Sequence, residues 1–127
     1  MAEARADFHE PPDQLTAATR DRHRAVVSLM EELEAVDWYD QRIDATDDSD
    51  LTAILTHNRD EEKEHASMLL EWLRRHDDRW DRDLRAYLFT DTPIATLAEL
   101  VGDGVESNNR RQHSLAIGGM KNTKQGL

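Results

Sequence analysis

The stretch that decides the fold runs from Leu51 to His76 and reads LTAILTHNRDEEKEHASMLLEWLRRH. It contains neither Gly nor Pro. Leu51, Leu55, Asn58, Glu62, His65, Leu69, Trp72 and His76 step through it by four and three in turn, the spacing of a heptad seam on a helix. Such a seam ordinarily holds apolar side chains, yet its centre holds Glu62 and His65. Burying a bare carboxylate is costly even after relaxation, so the charge needs a partner. A cation is one. Residues three apart on a helix lie about 60° apart around the axis and about 4.5 Å along it, so both side chains reach one ion. The spacing predicts a helix from about Ser49 to about His76.

The segment before it carries the complement. Gln14 to Tyr39 contains no Gly or Pro, and Pro11-Pro12-Asp13 before it is a helix-start signal. Ala18, Arg22, Ala25, Leu29, Glu32, Val36 and Tyr39 repeat the same alternation of steps. Glu32 is therefore an acid on an otherwise largely apolar line, while Glu31 and Glu34 fall off it, toward solvent or an interface. Asp44 to Asp50 breaks the pattern and supplies helix-capping side chains. So short a link predicts an antiparallel hairpin. Trp80, Leu84, Tyr87 and Leu88 predict a third, shorter helix, and Thr92-Pro93 opens a turn that reaches Leu100. Trp38, Tyr39 and Trp72 read as core aromatics. His23, His57 and His76 read as surface or packing residues.

One chain thus offers one lone Glu and one Glu-x-x-His. A ferritin-like di-iron bundle uses two of each, drawn from four helices. Two copies about a two-fold axis supply the full set, so the site is expected at a homodimer interface. The ligand types suit iron, manganese and zinc alike.

Composition narrows the class. The 127 residues hold 16 Lys+Arg against 27 Asp+Glu, a net charge of −11, which disfavours nucleic acid as a partner. There is no Cys, so no disulfide framework, thiolate site or thiol nucleophile exists. No apolar run is long enough for a membrane span, and the first residues lack the apolar core of a secretory signal. A cytoplasmic location is expected. The length suits one small domain, and few Gly and Pro argue against an all-β fold.

The charge is uneven. Residues up to Thr90 include 12 basic and 23 acidic side chains, and the remainder has 4 of each. After Glu106 only Arg110, Arg111, Lys121 and Lys124 carry formal charge. Residues 106–113 have no apolar side chain and read as part of a disordered linker. The expected organisation is a flexible N-terminus over 1–12, a helical domain over 13–101, a linker over 102–113 and a distinct tail over 114–127.

Two long runs carry a family resemblance. Arg22 to Arg42, with Glu31-Glu32-Leu33-Glu34-Ala35-Val36-Asp37-Trp38-Tyr39 at its centre, resembles the encapsulated ferritins. So do His57-Asn58-Arg59-Asp60-Glu61-Glu62-Lys63-Glu64-His65-Ala66 and Glu71-Trp72-Leu73-Arg74-Arg75. The resemblance spans roughly Leu15 to Phe89. It implies an all-α subunit, a two-helix ferritin-like hairpin with a short third helix. Dimerisation would complete a four-helix bundle, and dimers would build an annular decamer. It implies a ferroxidase centre of Glu32, Glu62 and His65 from each of two chains, holding two iron ions per dimer. It further implies that Glu31 and Glu34 attract incoming ions and that Trp38 and Tyr39 sit beside the centre. Ser114-Leu115-Ala116-Ile117-Gly118-Gly119-Met120-Lys121 resembles the peptide that docks such cargo inside an encapsulin shell. Leu115 and Ile117, with small residues between, suit an extended peptide filling apolar pockets. The resemblance therefore places the protein in an encapsulin nanocompartment in the cytoplasm, oxidising Fe²⁺ with O₂ for mineral storage. From the residues alone two other readings remain: a peroxidase or manganese catalase type of di-metal bundle, and a non-enzymatic acidic module that only dimerises.

Overall fold

A computed structural model of the chain describes residues 8–102. Every regular element among them is helical. A short 3₁₀ turn, Pro12–Gln14, precedes three α-helices: α1 (Ala17–Ala45), α2 (Ser49–Arg75) and α3 (Asp78–Tyr87). Residues 94–102 are also helical, with the Leu97 amide donating to the Pro93 carbonyl at 3.0 Å. The chain divides into two units, the first ending at Asp81 and the second beginning at Arg82.

Each long helix begins on a side-chain cap. Thr16 accepts from the Thr19 amide at 3.1 Å, and Asp48 accepts from the Leu51 amide at 2.8 Å. These bonds satisfy amides that a helix start leaves unpaired. Asp50 in the first turn of α2 and Arg74 and Arg75 in its last turn complement the helix dipole. The Pro-Pro signal starts the 3₁₀ turn rather than α1, because Leu15 is extended and ends it. Arg20 then ties the two together, its guanidinium donating to the carbonyls of Pro12 at 2.9 Å and Leu15 at 3.0 Å. Phe8 stacks on His23 with ring centroids 4.2 Å apart.

α1 runs past Tyr39 to Ala45. Ile43 continues the stripe up to the acidic run from Asp44, which breaks the pattern as expected. Its 29 residues make a rod of about 43 Å, and the 27 of α2 one of about 40 Å. Only Thr46, Asp47 and Asp48 lie between them, so the rods fold back on each other as a hairpin. Asp40 and Arg59 staple the pair, with the guanidinium 2.9 Å from the carboxylate.

The hairpin has little interior of its own. Ala25, Ala66 and Leu73 are its buried apolar residues, Leu73 at 1% exposure. Two rods touch along one line, and alanines at 25 and 66 let them close. The seam from Leu51 to His76 is therefore not a buried line within one chain. Its central members are half-buried and its two ends exposed. Val26, Met30, Leu33, Leu51, Ile54 and Met68 remain exposed. Trp38, expected in the core, is 50% exposed for the same reason: a single hairpin has no second layer to cover it.

In the second unit the Leu88 amide closes the last turn of α3 on the Leu84 carbonyl at 2.9 Å. The Thr90 hydroxyl donates to the Tyr87 carbonyl at 2.9 Å. Phe89 between them takes a positive φ of 58°, a conformation more usual for Gly or Asn after a helix. Residues 1–7 and the tail, with most of the expected linker and the peptide over 114–127, lie outside the described residues.

Candidate metal centre

The link between the long helices sets the register of the site. In an antiparallel hairpin, residues equally far from the turn face each other. Glu32 lies fifteen residues before Asp47 and Glu62 fifteen after it. Each is near the middle of its helix, where backbone bonds fray least. His65, one turn beyond Glu62, joins them.

Glu32, Glu62 and His65 each offer a ligand atom, and these atoms all lie within 4.8 Å of one another. The His65 Nδ1 is 3.6 Å from a Glu32 oxygen and 3.5 Å from a Glu62 oxygen. Donors about 2.0–2.2 Å from a common divalent ion stand roughly 3–4 Å from each other, so this spacing fits ligands around one cation. The side chains are 23%, 25% and 44% exposed for Glu32, Glu62 and His65. The cluster is thus partly open to solvent at the hairpin surface.

The electrostatics point the same way. The Glu32 carboxyl is held above its ordinary range, chiefly by a hydrogen bond with Glu62. Burial and the charge of Glu62 add to this, while the charge and hydrogen bond of His65 oppose it. Two carboxyls close enough to contend for a proton are placed to share a cation in its stead. Two oxygen donors with one imidazole form the ligand types of iron, manganese and zinc sites.

The other expected residues stand apart from this trio. Glu31 is exposed and Glu34 half-buried, and neither belongs to the cluster. Tyr39 lies one heptad past Glu32, about 10 Å along α1. The guanidinium of Arg42 sits 5.4 Å over its ring. His57 pairs with Glu61 at 3.0 Å. The sequence reading missed a hollow of about 480 Å³ on α2, lined among others by Glu64, Met68, Glu71, Trp72, Arg75 and His76. The His76 ring stacks on Trp72 with centroids 3.9 Å apart, and its Nδ1 lies 2.8 Å from the Trp72 carbonyl oxygen. The i,i+4 spacing of Trp72 and His76 was the available signal.

The sequence matches the family model described as EncFtn-like over residues 7–91. The chain belongs to the EncFtn-like family. An encapsulated ferritin-like protein of Rhodospirillum rubrum is 54% identical over 129 residues, covering 95% of this chain and 92% of that protein. A ferritin-like protein of Thermotoga maritima is 55% identical over 100 residues, covering 79% of this chain and 88% of that one. An encapsulin nanocompartment cargo protein of Myxococcus xanthus matches over a shorter span, 45% identical over 51 residues, which is 40% of this chain and 39% of that one. Among solved structures, a crystal structure of a Nitrosomonas europaea protein is 61% identical, with a TM-score of 0.68. The match covers 69% of this chain and 97% of that one. The EncFtn-like match contains all three residues of the metal cluster and both helices that carry them.

Proposed function

We propose that this EncFtn-like protein is a ferroxidase, oxidising Fe²⁺ to Fe³⁺ with O₂ at a di-iron site shared by two copies of the chain. The observation that carries the reading is the convergence of Glu32, Glu62 and His65 at mid-hairpin, their donor atoms within 4.8 Å of one another. The exposed apolar residues Val26, Met30 and Leu33 on α1, with Leu51, Ile54 and Met68 on α2, support a second copy as the cover. An isologous contact sets two ligand trios face to face, which makes the two Glu and two Glu-x-x-His of a di-iron bundle. Two Fe²⁺ enter as substrate. Glu32 and Glu62 hold them through oxygen, which favours the ferric state, and His65 supplies a terminal nitrogen ligand. Each iron gives one electron to O₂, so that two Fe²⁺, one O₂ and two protons become two Fe³⁺ and H₂O₂. Glu31 and Glu34 attract incoming ions toward the centre, and Tyr39 and Trp38 stand beside it. Dimers assemble further into an annular decamer.

An open ring encloses no store, so the mineral forms elsewhere. The names of the Rhodospirillum and Myxococcus relatives support an encapsulin nanocompartment as that place. Residues 13–101 form the catalytic domain, 102–113 the tether and 114–127 the address read by the shell protein, while 1–12 lead into the domain. No described helix is long and apolar enough to cross a membrane. Oxygen uptake after anaerobic Fe²⁺ is mixed with aerated buffer tests the activity, run beside Glu32→Ala. Uptake that is the same in a folded Glu32→Ala protein overturns the assignment.

A further inference from the structure

Burial holds the hairpin on one side of the metal trio only. Ala25, Ala66 and Leu73 all stand farther from the turn than Glu32 and Glu62 do. Among the described residues, none between the trio and the turn is buried. This is the half in which an ion pair crosses from α1 to α2. The Arg59 guanidinium donates to the Asp40 carboxylate at 2.9 Å and to that of Asp60, its neighbour on α2, at 3.2 Å. Arg59 precedes Glu62 by three residues, so it stands one turn from a metal ligand on the same side of α2. The bond is slanted. Level with Asp40 across the turn is Ile54, five residues or about 7.5 Å along the axis from Arg59. A perpendicular tie resists only separation of two rods, whereas a slanted one also resists sliding. Slippage by one helical turn, about 5.4 Å, would carry Glu62 clear of Glu32.

We propose that Asp40 and Arg59 are positioning residues for the metal centre, a diagonal brace that keeps Glu32 opposite Glu62. The proposal rests on the metal-centre reading, in which Glu32, Glu62 and His65 remain the ligands. The brace acts in the half that packing leaves loose. An exposed ion pair contributes little to overall stability, so its effect falls on the alignment of the donors rather than on the fold. What it can lend to metal binding has the same ceiling, about fivefold in affinity. By linkage, a bound cation that aligns the two carboxylates tightens the pair by the same factor. The opposite charges of the two residues separate this role from plain electrostatics. Through space, the Arg59 cation opposes an incoming metal ion and the Asp40 anion favours it.

Calorimetric titration of the full-length, metal-free protein with Fe²⁺ under argon reads the affinity. Asp40→Asn and Arg59→Gln are each expected to weaken binding about three- to fivefold, and the double variant no further than either alone, because one tie is lost in all three. The metal-free Tm is expected to fall by about 4 °C or less. Plain electrostatics would instead tighten binding in Arg59→Gln. Unchanged or tighter binding in Arg59→Gln therefore overturns the proposal, as does unchanged binding in Asp40→Asn or a double variant weakened by the product of the two single effects. A metal-free Tm lowered by more than about 8 °C would make the pair a general clamp and overturns it too. So does a loss of affinity that tracks a loss of association in light scattering, which would assign the pair to the contact between copies. Saturable binding that Glu32→Gln weakens and Arg59→Gln leaves intact rejects this proposal alone. No saturable Fe²⁺ binding by the unaltered protein rejects the metal-centre reading and this proposal with it.

Discussion

Glu32→Gln should move the stability of this protein in opposite directions with and without metal. The substitution keeps the side-chain volume and removes the charge. In the metal-free protein the raised Glu32 carboxyl reflects contention with Glu62, so neutralising it relieves a repulsion. For a pair this open to solvent the relief is about 1 kcal/mol or less. With metal the loss dominates. A carboxylate donor in each chain becomes a neutral amide oxygen, a weaker ligand that no longer balances the cation's charge. Losing even an outer partner of a metal ligand costs about 10–100-fold in affinity, so a ligand should cost at least about 100-fold. At a free Fe²⁺ concentration about 100 times the dissociation constant, binding stabilises the original protein by about 2.7 kcal/mol. In a domain of this size that is a rise in Tm of roughly 10–20 °C. In Glu32→Gln the same concentration sits near the dissociation constant, and the rise shrinks to about 3 °C or less. The assay is thermal unfolding under argon with and without Fe²⁺. Protons compete with the cation for the Glu32 and Glu62 carboxylates, so the metal-induced rise in the original protein should weaken as pH falls. A full metal-induced rise in Glu32→Gln would refute the ligand assignment. A metal-free variant destabilised by clearly more than about 1 kcal/mol would refute the repulsion.

Leu73→Ala should cost about 2–3 kcal/mol in denaturant unfolding, the lower part of the usual range, since its half-buried neighbours relax into the space. A cost below about 1 kcal/mol would mean that the hairpin is not held there. Glu71 accepts from Arg74 at 2.5 Å and from Arg75 at 2.7 Å, which brings its carboxyl down to about 2. A depressed folded-state value stabilises above the unfolded value of about 4.3 and is lost as pH falls toward 2. Tm should therefore drop between those limits, and Glu71→Gln should flatten the drop. Deleting residues 114–127 should leave oxygen uptake unchanged and abolish co-purification with a co-expressed encapsulin shell, and Leu115→Asp should do the same, because an unpartnered charge does not enter an apolar pocket.

Helices were legible wherever residues with consistent spacing ran without Gly or Pro and ended at capping side chains. The start of α2 at Ser49 follows from Asp48, and the trio of Glu32, Glu62 and His65 from polar residues standing where a seam wants leucine. The end of α1 at Ala45 follows from the acids that begin at Asp44. Burial was legible least. Heptad spacing says which residues share a face, not whether a second layer covers it. That is why Trp38 and the seam stand more open in one chain than the pattern suggested. The hollow beside Trp72 is lined by α2 and its cap His76 alone, and the i,i+4 pairing of Trp72 with His76 was its signal.

The link at Thr46 to Asp48 has an evolutionary consequence. Surface turns usually absorb insertions with little penalty, but this one measures out the distance that places Glu32 opposite Glu62. One added residue within α1 beyond Glu32 would turn that carboxylate about 100° away from its partner. Relatives that keep the centre should therefore hold the count between the two glutamates fixed. Changes in length should collect beyond Leu88, where no ligand depends on the tally.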